Sequence, residues 1–283
     1  MTIARPETNP TAKSMTKPTV AILDMYRGIE NMGMANIQSI LAYHDFPYRV
    51  WDVRGKNEVP NSSYDIYIST GGPGSPFDGE REHWEANYFR LIDKIWNHNQ
   101  THERKKYVFF ICHSFQMMVR LFEIGDVCKR KSMSFGVFPI HKTQEGEKDT
   151  LFQGLADPFY AADFRSYQVT HPNDKNIAAL GGTILSLEKV RPSIALDRAI
   201  MAMRISPEFI GTQFHPEADP IGMREYFRNP KKREDVVKAH GESKYENILD
   251  QLHEEDADSI LQTYRHLIPT FLTQSYQAWM MFG

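Results

Sequence analysis

The strongest constraint in this chain is a junction. Tyr107-Val108-Phe109-Phe110-Ile111 is a run of β-branched and aromatic residues with the character of a buried strand. Ser114-Phe115-Gln116-Met117-Met118-Val119-Arg120-Leu121-Phe122 then takes on the spacing of an amphipathic helix. Cys112 stands where the strand hands over to the helix. A side chain on a sharp strand-to-helix turn is held out at the top of the sheet. The helix N-terminus behind it favours negative charge, and so favours thiolate over thiol. Cys112 is therefore the first candidate nucleophile. A lone cysteine is more often an inert core residue, so the rest of the chain has to decide.

Composition narrows the field. The chain has 283 residues, enough for one large domain or a domain with an appendage, and its 41% hydrophobic content supplies a full core. A net charge of −3 points away from a nucleic-acid surface or a polybasic membrane patch. Two cysteines, Cys112 and Cys128, build no disulfide framework, and no C-x-x-C pair suggests a metal. Neither metal nor cofactor is expected. No stretch approaches the roughly 20 apolar residues that span a bilayer, and residues 1–17 lack the apolar centre of a signal peptide. A cytoplasmic protein without membrane contact is the expectation.

Taken in order, residues 1–17 are polar and are expected to form a flexible tail. Strands are expected at Thr19 to Asp24, Tyr48 to Val53 and Tyr64 to Ser69, with a helix carrying Ile37, Ile40 and Leu41 after the first. The third strand runs into Thr70-Gly71-Gly72-Pro73-Gly74-Ser75-Pro76. Glycines permit close backbone approach and prolines stiffen the rest, so this loop can aim N–H groups at an anion. A helix from Glu82 to Asn97 precedes the Cys112 strand. Beyond the Cys112 helix, strands are expected at Ser134 to His141, Tyr160 to Thr170, Gly182 to Leu187, Ile194 to Leu196, Ile200 to Met203 and Phe209 to Phe214. Strands alternating with helices and then a run of strands predict an α/β protein whose mostly parallel sheet carries a small antiparallel addition.

The last strand ends at His215-Pro216-Glu217. A His and a carboxylate two residues apart at a strand end point the same way, so Glu217 can orient the imidazole and stabilise its cation. Residues 18–220 form the α/β domain in this reading. Residues 221–283 form a helical C-terminal extension, with an amphipathic helix from near Asp258 carrying Ile260, Tyr264, Leu267, Ile268, Phe271, Leu272 and Trp279. Pro269 is expected to kink that helix or end its first half. The apolar end, Trp279 to Phe282, makes a homo-oligomer through these helices one expectation, and packing within the chain the other.

Three pieces now stand in order: the Gly71 to Pro76 loop, the Cys112 elbow and Gly211-Thr212-Gln213-Phe214-His215-Pro216-Glu217. Together they resemble the class I, triad-type glutamine amidotransferase family, closest in look to the glutaminase domain of GMP synthase. The G-x-Q-F-H-P-E piece is highly specific. The elbow departs from the family's G-x-C-x-G-x-Q, with Phe110 and Ser114 in place of its glycines. The resemblance spans about residues 18–220 and implies a flavodoxin-like, doubly wound sheet.

The resemblance also implies roles. Cys112 attacks the side-chain amide of glutamine to form a γ-glutamyl thioester, His215 shuttles the proton, and Glu217 holds the His. The oxyanion donors are the backbone N–H groups of Gly72 and His113. Gln116 contacts substrate glutamine, and Ser166-Tyr167 stands where the family has a Ser-His or Asn-His pair. No S-G-G-x-D-S motif is present, so an ammonia acceptor belongs to a partner synthase chain. A stand-alone γ-glutamyl hydrolase or peptidase on the same fold is the second expectation. A catalytically silent binding relative comes third, and the intact Cys112, His215 and Glu217 argue against it.

Overall fold

A computed structural model describes residues 17–191 and 196–282, without the side chains of residues 254–256. The expected tail over residues 1–17 therefore lies outside the described residues except for Lys17. The expected strand at Ile194 to Leu196 lies outside them except for Leu196, which joins no strand.

The first half of the chain alternates strands and helices: β1 (Val20–Asp24), α1 (Met32–Tyr43), β2 (Tyr48–Asp52), α2 (Val53–Lys56), β3 (Ile66–Ser69), α3 (His83–Thr101), β4 (Tyr107–Ile111) and α4 (His113–Phe122). Burial on both faces explains why β1, β3 and β4 are continuously apolar, whereas the edge strand β2 exposes Tyr48, Arg49 and Val50. Then come β5 (Asp126–Lys142), α5 (Gln144–Lys148), β6 (Phe159–Thr170), α6 (Asp174–Leu180), β7 (Thr183–Glu188), β8 (Ile200–Ser206) and β9 (Phe209–Thr212). Four helices close the chain: α7 (Pro220–Arg228), α8 (Pro230–His240), α9 (Glu242–Gln251) and α10 (Glu254–Met281).

Among the described residues one nine-stranded sheet runs in the order β2-β1-β3-β4-β9-β8-β7-β5-β6. The pairs from β2 to β9 are parallel and those from β9 to β6 antiparallel. The expected small antiparallel addition is thus half of a mixed sheet, and a doubly wound, mostly parallel description does not fit. The reason is local. Parallel pairing needs a long crossover, usually helical, whereas β8 and β9 are joined by Pro207-Glu208 alone and can only turn back.

Helices cover both faces. On one, Tyr88, Leu91, Ile92 and Ile95 of α3 join Phe115, Met117 and Met118 of α4 over Val108 and Phe110. On the other, Ile37, Ile40 and Leu41 of α1 and Leu267, Ile268, Phe271 and Leu272 of α10 pack over Phe109 and Ile111. Each such side chain contributes roughly 1.5–3 kcal/mol by leaving water. That burial explains why α10 continues through Pro269 from Glu254 to Met281, instead of ending there: apolar anchors on either side outweigh one lost backbone hydrogen bond. A third cluster joins Val137 and Ala162 of the sheet to Met223, Phe227, Val236, Tyr245 and Ile248 of α7 to α9. At the far end of α10, Met280, Met281 and Phe282 are exposed. No helix among the described residues is long and apolar enough to cross a membrane.

Candidate active site

Cys112 closes β4 and caps α4 with φ +48° and ψ −97°. A non-glycine residue there carries strain on the order of 1–3 kcal/mol, which its surroundings must hold in place. The Cys112 N–H donates to Thr212 O at 2.7 Å, and its carbonyl accepts from the Gln116 N–H at 3.1 Å. Ser114, in place of a family glycine, has an ordinary helical backbone and braces the turn. Its hydroxyl accepts from the Ile111 N–H at 2.9 Å and donates to Ser69 O at 2.6 Å, tying β3, β4 and α4 together. Phe110, in place of the other, is buried beneath α4, its ring centroid 5.9 Å from that of Phe209. Room for it comes from Gly211 on β9, where a Cβ would lie 2.5 Å from the Phe115 ring and 3.3 Å from Phe110 Cβ.

β4 and β9 run parallel with Ile111 beside Thr212, so Cys112 and His215 leave the same edge of the sheet. The His215 N–H donates to Ala162 O at 2.9 Å, which fixes the backbone past β9. His215 Nδ1 donates to Glu217 Oε1 at 2.8 Å, and Glu217 is itself held by Asn36 Nδ2, which donates to its backbone oxygen at 2.9 Å. Burial works against a charge on His215. The Glu217 carboxylate and Cys112 more than offset it and raise the imidazole's proton affinity well above the ordinary value.

The Gly71 to Pro76 loop runs beside this pair. A Cβ on Gly71 would lie 2.8 Å from His215 Cε1 and 2.9 Å from the Tyr26 hydroxyl, so only glycine admits both. The loop's carbonyls are gripped by arginines. The buried Arg54 donates to Pro73 O at 2.7 Å, and Arg120 donates to Pro76 O while pairing with Glu85 at 2.9 Å. His113 begins α4, where a helix leaves its first N–H groups without an intrahelical partner. Its side chain is buried with Nε2 unpartnered among the described residues. Burial, then the charges of Arg54 and Arg120, lower its pKa to about 3, so the ring stays neutral.

Gln116, Ser166 and Tyr167 are placed differently. Gln116 is buried, and its amide donates to Gln213 Oε1 at 3.1 Å and to the Tyr167 backbone oxygen at 3.3 Å. Gln213 Nε2 in turn sits 3.7 Å from Cys112 Sγ. Tyr167 thus meets Gln116 through its carbonyl, while its ring lies 6.1 Å from that of Phe77. The Ser166 hydroxyl makes no hydrogen bond among the described residues. A cavity of about 430 Å³ opens over Cys112, His215, Glu217 and Gly72, and none of these three lines it. Its opposite wall is apolar: Phe135, Phe164, Met223, Phe227 and Val236, three of them from α7 and α8.

The sequence reading assigned no role to Tyr26 or Gln213. Tyr26 lines the cavity, and burial together with the charges of Glu217, Cys112 and Asp24 keeps its phenol protonated. Gln213 lay inside the quoted G-T-Q-F-H-P-E piece, so its signal was present. Tyr26 offered only its place two residues past a strand.

Cys112 on its strand-to-helix turn and the His215–Glu217 pair thus share the C-terminal edge of the parallel strands, the edge at which α/β folds place their ligand sites. The family model for glutamine amidotransferase class-I matches residues 21–230, and the chain belongs to that family. No curated protein sequence matches. Among solved structures, a glutamine amidotransferase from Thermotoga maritima is 16% identical, covers 90% of this chain and 98% of its own, and has a TM-score of 0.68. A glutamine amido transferase from Methylobacillus flagellatus is 16% identical over 92% of this chain and 96% of its own, with a TM-score of 0.66. The CTPS glutaminase domain of Trypanosoma brucei, with bound acivicin, is 13% identical over 71% of this chain and 86% of its own, with a TM-score of 0.50. At these identities the likeness shows the fold. A 90% share takes in part of the helices beyond residue 220.

Proposed function

We propose that this chain hydrolyses the side-chain amide of glutamine through Cys112 and hands the ammonia to a partner synthase chain. The observation that carries the reading is the strained Cys112 turn beside the His215–Glu217 pair. Cys112 sulfur attacks the amide carbonyl, and charge gathers on its oxygen between the backbone N–H groups of Gly72 and His113. The C–N bond breaks as His215 gives its proton to the departing nitrogen, leaving a γ-glutamyl thioester and ammonia. Water then attacks the thioester while His215 takes a proton from it. The C–S bond breaks, and glutamate leaves. Glu217 holds the ring in the tautomer this shuttle needs. Gln116 and Gln213 act beside the sulfur as positioning residues, with Ser166 and Tyr167 on the strand behind them. The CTPS glutaminase domain among the similar structures suits a synthase partner.

A second reading, a hydrolase of γ-glutamyl amides larger than glutamine, is favoured by the cavity. It measures about 430 Å³, its far wall is apolar, and no Lys or Arg among the described residues lines it to meet a small amino acid's carboxylate. Purified protein incubated with glutamine and, separately, with γ-glutamyl peptides decides between them. Ammonia from glutamine, abolished by Cys112→Ser, supports the first reading. Release from peptides alone supports the second, and turnover surviving Cys112→Ser refutes both.

A further inference from the structure

Behind the active site, β5 departs from regular pairing. Its register against β6 shifts between Lys129 and Ser134. A bulge breaks the alternation of side chains, and here Lys129, Arg130 and Lys131 all line one cavity of about 410 Å³. Lys189 and Arg191, just past β7, and Arg198, just before β8, also line it, so among the described residues six cations face two carboxylates, Glu188 and Asp197. Neither carboxylate balances the rest. Glu188 is shared by Arg130 at 2.9 Å, Arg191 at 2.9 Å and Arg165 at 3.7 Å. Asp197 faces His171 at 2.9 Å. Lys129, Lys131 and Lys189 pair with no carboxylate among the described residues.

We propose that this cavity is a binding site for a small phosphorylated ligand, and that its occupancy biases the strand behind Cys112. Like charges crowded into a concave surface repel one another, and a polyanion relieves that repulsion. Guanidinium forks match phosphate oxygens two at a time. The link inward is continuous. Arg165 sits between Glu188 and Asp163, which it meets at 2.8 Å, and it also donates to the Tyr167 carbonyl at 3.3 Å. That carbonyl accepts from Gln116, which bonds Gln213 beside the sulfur. A ligand that draws Arg130 and Arg191 away from Glu188 leaves that carboxylate to Arg165 and shifts the grip on residues 165–167. This coupling rests on Cys112 being the nucleophile, whereas the binding does not.

Pyrophosphate is titrated by calorimetry into the full-length Cys112→Ser protein at ionic strength fixed with potassium chloride. Saturable one-site binding is expected, weakened about tenfold or more in a Lys129→Gln/Lys189→Gln double variant whose melting temperature is unchanged. Heats equal to the chloride control, or affinity unaltered in the double variant, overturn the site. A nucleoside triphosphate titrated in parallel separates the sources: tighter binding assigns the site to nucleotides, and equal binding to phosphate groups alone. For the coupling, the rate at which a diazo-ketone glutamine analogue labels Cys112 is compared with and without saturating pyrophosphate. A change of about threefold or more supports it, and an identical rate overturns it. Absence of labelling under both conditions counts against Cys112 as nucleophile, and the coupling falls with it.

Discussion

The two flanks of Cys112 are held in different ways. On the His215 flank the contacts run mostly through backbone: Thr212 O on the Cys112 N–H, Ala162 O on the His215 N–H, and the Pro73 and Pro76 carbonyls of the loop beside them, which Arg54 and Arg120 grip. On the β5–β6 flank they run through charged side chains, Asp163, Arg165, Glu188 and Arg130, from strands far apart in sequence. A flank fixed largely by backbone accommodates side-chain change, as Phe110 shows beneath α4. One fixed by ion pairs depends on each partner being present, because a buried charge left alone is expensive.

Substitutions separate the flanks by what they damage. Cys112→Ala is expected to lower kcat/KM for glutamine on the order of 10⁴-fold or more with the melting temperature nearly unchanged, read by ammonia release; unfolding instead would deny that this flank is held independently of the Cys112 side chain. Glu217→Gln keeps the shape and is expected to cost on the order of 10³-fold in the same assay. On the other flank, Asp163→Asn leaves the Arg165 guanidinium underpaired and is expected to cost about 3 kcal/mol of stability in denaturant unfolding. A cost below about 1 kcal/mol would erase the contrast.

Two smaller effects sharpen it. The His113 ring, neutral with a pKa of about 3 against 6.5 when unfolded, refuses a proton that the unfolded chain accepts between those values. Stability therefore falls as pH drops through that window, by about 2 kcal/mol at pH 5, and His113→Gln is expected to remove that slope in melting curves from pH 7 to 5. Tyr26→Phe, which deletes the hydroxyl that lies beside Gly71 in the cavity wall, is expected to cost about tenfold in kcat/KM at unchanged stability.

The same difference decides what could be read in the sequence. The Cys112 turn, the glycine loop and His215-Pro216-Glu217 are legible because sterics demand particular residue types at fixed spacing. The parallel strands β1, β3 and β4 are legible because burial on both faces makes them largely apolar runs. The first part of β5 is not, because Lys129, Arg130 and Lys131 interrupt any apolar alternation where the bulge lies. Nor is the ionic flank, since Arg130 and Glu188 meet across 58 positions of chain. That the helix does not end at Pro269 was not legible either, because the local cost of the proline is visible in the sequence and the burial of Leu267, Ile268, Phe271 and Leu272 that outweighs it is not.

The central claim is that Cys112 carries the γ-glutamyl group. Acid-quenching the protein during incubation with glutamine, and separately after the diazo-ketone analogue, followed by peptide mass mapping, tests it most directly. A γ-glutamyl or analogue-derived mass on the peptide containing Cys112 is the predicted result. Glutamine consumed with Cys112 unmodified in both incubations, and at an undiminished rate in Cys112→Ala, would contradict it.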